Sequence, residues 1–404
     1  MLNTSFSPWP SYTQEEADAV RDVILSNKVN YWTGQECRMF EKEFAAWTGC
    51  DHAVALGNGT LALDVALKAL AIGPGDEVIV TPRSFLASVS CIVNCGAIPV
   101  FAEVDRNSQN ITADTIRAVL TSRTRAVICV HLAGWPCDMD PIMSLAAEHG
   151  LWVVEDCAQA HGATYKGRSV GSIGHIGAWS FCQDKIISTI GEGGMATTND
   201  YALWSQMWSL KDHGKSWNAV YERTHPAGFR WLHESFGSNW RMMEAQAVVG
   251  RIQLRRMREW HAARLEAAQR IWSTAAKLAG LRVPALPPTI SHAAYKCYVF
   301  VESDSLKPDW DRDRILEEIN ARGVPCYTGS CPEVYLEHAF DGTNWRPRQR
   351  LPVAQELGET ALMFLVHPTL TDDELARTCD VLAQVMRLAA SKVLPFEATK
   401  PAYA

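Results

Sequence analysis

The feature that most constrains this chain is a rhythm running from about residue 50 to 200. Short apolar runs alternate there with helix-like segments. The runs are DEVIVTP (76–82), PVFAEVD (99–105), RAVICVH (125–131) and LWVVEDC (151–157); between them stand LALDVALKALAI, SFLASVSCIVNCGA, ADTIRAVLTS and DPIMSLAAEHG. Strands that are apolar on both faces, separated by helical periods, require a mostly parallel sheet covered by helices on each side. Two further runs, WSFC (179–182) and GMATTND (194–200), have only a loop between them, which predicts a mixed sheet. Residues 240 to 279 read as one long amphipathic helix, and PALPP (284–288) then punctuates the chain. Beyond it AYKCYVFVE, a helix near 309–322, VPCYTG and a last helix near 371–391 predict a smaller α+β domain. The expected division is a large domain over 1–250 and a small one over 251–404, with the tail VLPFEATKPAYA loosely attached.

Composition removes several classes of function. With a net charge of −7 the chain carries no basic field suited to nucleic acid. The cluster Arg251, Arg255, Arg256 and Arg258 interleaves with apolar residues at helical spacing and reads as a solvated helix face. No apolar run approaches the length of a membrane span, and the first residues lack the basic start and apolar core of a signal peptide. The expectation is a cytoplasmic protein without membrane contact. Its 12 cysteines form no CxxC pair, so neither a zinc site nor a disulfide framework is expected, and no metal.

Three stretches carry chemistry. GNGTLALDVAL (57–67) opens an apolar-periodic helix, and the free N–H groups of such a start, approached over Gly59 and supplemented by the Thr60 hydroxyl, suit a phosphate. VVEDCAQAHGA (153–163) puts Asp156 at the carboxyl end of an apolar strand, where ligands of open α/β sheets bind. Gln159 and His161 follow it. Lys185 stands just past the next strand candidate and before GEGG, and a partly desolvated lysine is a Schiff-base nucleophile. Taken singly, the first reads better as an ordinary N-cap and the third as a surface lysine, while Asp156 reads equally well as a turn cap. Together they are the parts of a pyridoxal phosphate site: a phosphate cradle, a carboxylate for the pyridine nitrogen and a lysine for the aldehyde.

The order of motifs NGTLAL, GPGDEVIVTPRSFLAS, GAIPVFAEVD, VEDCAQAHGA, SFCQDK, GEGGMATT and NWRMMEAQAVVG resembles the DegT/DnrJ/EryC1/StrS family of sugar aminotransferases over roughly residues 30 to 255, and more weakly to the C-terminus. The resemblance implies an aspartate aminotransferase-like fold of type I and the cofactor pyridoxal 5′-phosphate. It implies that Lys185 holds the cofactor aldehyde and moves the proton, and that Asp156 pairs with the ring nitrogen. Gln159 would meet the ring hydroxyl side, Phe85 would stack on the ring, and Gly59, Thr60 and Ser180 would hold the phosphate. Asn239 would reach the cofactor phosphate of a neighbouring subunit, implying a homodimer with shared sites. Lysine at 185 favours transamination, with L-glutamate as donor and a keto- or aldehydo-sugar as acceptor, over a dehydratase or a non-catalytic regulator. Two departures stand out. Asn58 replaces the usual serine of SGT. Arg83 stands where a small or polar residue is common, and a guanidinium near the site mouth would suit a substrate carboxylate or phosphate, although pairing with a protein acid or a partner subunit is an equal alternative. With the Trp-, His- and Arg-rich loop from Lys215 to Ser238, this suggests an acidic sugar without a nucleotide, as in synthesis of 8-amino-3,8-dideoxy-octulosonate for lipopolysaccharide; a nucleotide-linked keto-sugar is the alternative.

Overall fold

The computed structural model describes residues 6–391; the tail expected to be loose lies outside them. Seven strands make the principal sheet: β1 (His52–Leu56), β2 (Glu77–Val80), β3 (Ile98–Phe101), β4 (Thr124–Val130), β5 (Trp152–Asp156), β6 (Ile176–Ser180) and β7 (Gly194–Thr198). Their spatial order is β1, β7, β6, β5, β4, β2, β3. All neighbours are parallel except β7, which runs antiparallel to both β1 and β6. The mixed sheet expected from the loop-only connection is therefore present, with the break in direction at that connection.

Alternation along each strand feeds two cores. Val78, Val80, Ile128 and Val154 join one apolar cluster with the helices Gly59–Ala69, Ala87–Asn94 and Tyr201–Lys211. Their neighbours Ile79, Val127, Cys129 and Val153 face the opposite way, onto Ile142 and Leu145 of the helix Met139–His149. Both faces of the sheet are thus dry, as the near-continuous apolar strands require.

The predicted strand at WSFC is displaced: β6 ends at Ser180, so Phe181 and Cys182 already belong to the following loop. HAVAL (52–56), which is not among the predicted strands, is a full edge strand. The long helix is Glu244–Ala275. Its first half packs Ala247, Leu254 and Met257 against Phe40, Phe44, Trp179 and Phe181. Its second half packs Ala268, Ile271 and Ala275 against Val299 and Leu362 of a second sheet. That sheet is four short antiparallel strands, in the order Leu281–Arg282, Cys297–Val301, Ala361–Phe364 and Cys326–Tyr327. The helices Arg312–Ala321 and Asp372–Ala389 fall where expected.

The arginine cluster is only in part a solvated face: Arg255 and Arg258 are exposed, whereas Arg251 and Arg256 are half-buried. Arg251 pairs with Glu36 and Glu43, Arg255 with Glu15, and Arg256 with Glu15 and Glu16. The acids lie on or beside the helices Gln14–Leu25 and Glu36–Thr48, so these arginines clamp the N-terminal helices onto the long one. Apolar interleaving gave the right helix, but only the fold reveals what its polar stripe faces. All twelve cysteines are unpaired.

Candidate active site

The carboxyl ends of β5 and β6 open into a cavity of about 550 Å³. Gly59, Thr60, Phe85, Asp156, Gln159, Ser180 and Lys185 all line it. Seven residues spread over a third of the chain therefore meet where a parallel sheet leaves its crevice.

The phosphate cradle begins at Asn58, whose Oδ1 accepts from the Leu61 N–H at 2.9 Å and caps the helix Gly59–Ala69. An asparagine in place of serine serves the same capping chemistry. The first N–H groups of any helix lack intrahelical partners, so this start presents donors and positive dipole to the cavity. Gly59 is pressed against β6: a Cβ there would stand 2.5 Å from that of Ser180. At Gly194, the first residue of β7, a Cβ would stand 2.2 Å from the Asn58 carbonyl oxygen. Both glycines are demanded by close backbone approach rather than by φ.

Asp156 is buried, and its two oxygens are fixed separately. Oδ2 accepts from Ser88 Oγ at 2.7 Å and Oδ1 from the Ala158 N–H at 3.1 Å. Ser88 Oγ in turn lies 2.8 Å from Ser84 Oγ. Gln159 accepts the Ala133 N–H through Oε1 at 2.9 Å, which turns its amide N–H groups the other way. Phe85 leaves an aromatic face bare, 70% exposed, at the cavity wall.

Lys185 is held inward, with its side chain 15% exposed. Its Nζ lies 3.4 Å from Tyr295 Oη and 3.8 Å from Asp184 Oδ1. Burial pushes the Asp184 carboxyl up, but the Lys185 ammonium and the Tyr295 hydroxyl outweigh it and hold it below the usual carboxylate range. Burial, reinforced by Asp184, pushes the Tyr295 hydroxyl well up, so it stays protonated and donates to Asp184. Lys296 donates to Ser330 Oγ at 3.1 Å; burial pulls its ammonium down. Ser88, Tyr295 and Lys296 were missed by the sequence reading. The first sat in plain view in SFLAS, but the other two come from AYKCYVFVE, far along the chain, where nothing marks a site.

Two of the expected residues do not line this cavity, and for Asn239, expected at a neighbouring subunit's site, that is no departure. Asn239 is exposed and does not line the cavity. Arg83, expected near the mouth, is fully buried instead. Its Nε donates to Gln109 Oε1 at 2.9 Å, and its guanidinium lies 5.4 Å from the Tyr298 ring centre. It turns away from the crevice into the packing between the two sheets.

The arrangement fits pyridoxal phosphate on its own chemistry. A glycine-lined helix start suits the phosphate, a fixed carboxylate the ring nitrogen, amide donors the ring oxygen, a bare aromatic face the ring, and a buried lysine the aldehyde.

The model of the DegT/DnrJ/EryC1/StrS aminotransferase family matches residues 10–383. The chain is 37% identical over 371 residues to the GDP-perosamine synthase of Caulobacter vibrioides, covering 91% of this chain and 95% of that protein. It is 34% identical over 380 residues to the UDP-N-acetyl-3-dehydro-alpha-D-glucosamine 3-aminotransferase of Acidithiobacillus ferrooxidans, covering 91% and 95%. Among solved structures, an aminotransferase from Psychrobacter cryohalolentis superposes with a TM-score of 0.93 at 64% identity, covering 95% of this chain and 99% of that one.

Proposed function

Because the chain belongs to the DegT/DnrJ/EryC1/StrS aminotransferase family, whose members are pyridoxal 5′-phosphate-dependent enzymes, we propose that it moves the amino group of L-glutamate onto a nucleotide-linked keto-sugar. The observation that carries this reading is the convergence of Lys185, Asp156, Gln159 and the Gly59–Ala69 helix start on one crevice. A nucleotide-linked acceptor is favoured by what the two named relatives act on or make, at identities that extend over nine-tenths of the chain. The octulosonate alternative rested first on Arg83, and Arg83 is buried away from the cavity. The product would serve a surface glycan such as lipopolysaccharide, made in the cytoplasm; among the described residues no helix is long and apolar enough to cross a membrane.

When bound, pyridoxal phosphate supplies the electron sink that stabilises negative charge on the substrate carbon. The chain's own residues would do the rest. Lys185 would hold the aldehyde and then carry the proton from the donor α-carbon to the cofactor carbon, returning it in the opposite sense on the sugar. Asp156, kept oriented by Ser88 and the Ala158 N–H, would hold the ring nitrogen protonated. Gln159 would grip the ring hydroxyl side, Phe85 would cover the ring, and Gly59, Thr60 and Ser180 would hold the phosphate. Tyr295 and Asp184 would keep the Lys185 amine aimed at the crevice. The enzyme would act as a homodimer in which Asn239 completes the partner's site. Its exposure outside its own cavity supports this, as do the bare neighbours Phe229, Trp231 and Phe236. On this reading the large domain comprises residues 1–250 and the small one 251–404, the division falling within the long helix.

The test is the visible spectrum of the purified protein before and after L-glutamate without sugar. Bleaching of the yellow form, absent in Lys185→Ala, is the expected result; a yellow form untouched by glutamate excludes this donor. Amination of nucleotide-linked keto-hexoses but not of the octulosonate aldehyde then fixes the acceptor class.

A further inference from the structure

Beside the crevice lies a second cavity of about 520 Å³, which shares Asp184, Tyr295 and Lys296 with it. One wall is the N-terminal strap Phe6–Trp9. Ser7 donates to the Glu374 carboxylate from its N–H at 2.6 Å and from Oγ at 3.0 Å, and Thr369 Oγ1 donates to the Pro8 carbonyl at 2.8 Å. Trp9 Nε1 donates to the backbone carbonyl of Lys185 at 2.8 Å. The strap thus ties the last helix and the strand end before it to the lysine loop.

Arg264 lies under the strap. Its Cζ stands 4.8 Å from the Trp9 ring centre, and the His367 ring stacks on the same indole. Arg264 is buried, lines the second cavity, and leaves Nε and Nη2 without a hydrogen-bond partner. Among the described residues no carboxylate lies within ion-pair distance of it; Asp184, on the same cavity, is engaged by Tyr295 and Lys185. A buried guanidinium without a counter-charge is costly, and burial pulls this one down to about 9. The same burial, with Arg264 adding to it, holds His367 neutral, its pKa lowered to about 4. Lys296 adds a second cation, while Met363, Leu365 and Val366 supply an apolar flank. A guanidinium with unused donors, an ammonium and a short apolar wall match a dicarboxylate on a methylene chain.

We propose that Arg264 is the carboxylate receptor for the amino donor, a dicarboxylic amino acid that lodges beneath the N-terminal strap and presents its amine to Lys185 across the wall of Asp184, Tyr295 and Lys296. The inference rests on the aminotransferase reading and assigns its donor subsite. Because Trp9 covers Arg264 and also fixes the Lys185 carbonyl, one residue sets the distance between receptor and lysine.

The experiment is calorimetric titration of cofactor-loaded enzyme with glutarate, an unreactive dicarboxylate, in wild type, Arg264→Leu and Arg264→Lys. D-glucuronate, a sugar acid, is titrated in parallel. Removing a charged hydrogen-bond donor predicts about tenfold to a hundredfold weaker glutarate binding in Arg264→Leu. Arg264→Lys, which keeps the charge, should recover part of the loss and guards against a leucine variant that fails to fold. Glucuronate should bind without regard to residue 264. Equal glutarate affinity in wild type and both variants overturns the proposal, as does a dependence on Arg264 seen for glucuronate and not for glutarate. Bleaching of wild type by L-glutamate tests the aminotransferase reading separately: if it occurs while glutarate ignores Arg264, only the receptor assignment falls.

Discussion

The floor of the crevice and the segment from Lys215 to Met243 are built on opposite plans. On the floor the groups that set the geometry have fixed partners: Asp156 is held by Ser88 and Ala158, Gln159 Oε1 by Ala133, and the helix start is wedged between Ser180 and β7. The segment leaves large apolar side chains in water, Phe236 completely and Trp231 at 80%, with Asn239 among them. A chain of this size has ample core in which to bury a few aromatics, so leaving three bare beside a polar residue marks a surface made to be covered. Preorganised chemistry sits inside one chain, and under the proposed dimer the adaptable wall is left for a second copy.

If that contrast is right, damage to the floor should stop chemistry or cofactor binding, whereas damage to the segment should alter assembly. The largest effect is expected from Lys185→Ala. Turnover should fall by at least about 10³-fold, since a positioned proton carrier alone contributes about 10²–10⁴-fold. Thermal stability should stay close to that of wild type, as should the fold by circular dichroism. Gly194→Ala comes next. Its new Cβ would meet the backbone oxygen of Asn58, which no rotamer change can relieve. Overpacking of this kind costs about 1–3 kcal/mol. It should appear both in denaturant midpoint and as weaker retention of the cofactor on dialysis.

A third test acts beneath the lysine and is visible only in acid. His161 is buried against Trp179 and Phe181, and burial, with Lys185 and Arg264 adding to it, lowers its pKa to about 3. An unfolded histidine titrates near 6.5. A folded pKa below the unfolded one means that its stabilising contribution is full above about pH 6.5 and is lost as pH falls toward 3. Between pH 7 and 5 that loss is about 2 kcal/mol. His161→Phe should therefore flatten the acid side of the stability curve; the same loss of stability between pH 7 and 5 in wild type and variant, read by chemical denaturation, would show that His161 is not held neutral in the fold.

Much of the floor was legible because its residues sit at the ends of strands that announce themselves. Near-continuous apolar runs fix the parallel sheet, and the sheet fixes where Asp156 and Ser180 must meet. The displacement of β6 to Ile176–Ser180 has a plain cause: Ile176, Gly177 and Ala178 carry little apolar signal, whereas the bulky Trp179 and Phe181 pull the eye past the strand end. Tyr295, Lys296 and Arg264 were illegible for a different reason. Their roles depend on contacts across more than a hundred residues of sequence, and a tyrosine in a strand run or an arginine in a long helix has the same local pattern whether it faces a cavity or water. Arg83 shows the converse error. Two residues before an aromatic that lines the crevice is close in sequence, but the chain bends at 82–84, so residues two apart do not share a face there: Phe85 faces the cavity while Arg83 enters the packing under Tyr298.

The smallest effect on the isolated chain, and the sharpest test of the contrast, is expected from Phe236→Ser. The side chain is fully exposed in the single chain, so a monomeric enzyme should lose no more than about 0.5 kcal/mol of stability. A covered surface behaves differently. Removing an aromatic from the core of an interface between copies commonly costs more than 1 kcal/mol of association, which would raise the dimer dissociation constant by about tenfold. Sedimentation velocity across a dilution series separates the two, and activity read over the same series shows whether the site depends on the second copy. If dimers and turnover vanish together on dilution, the partner's wall is part of the active site. If turnover per chain stays constant as dimers dissociate, the floor alone suffices, and Asn239 has no part in the neighbouring crevice.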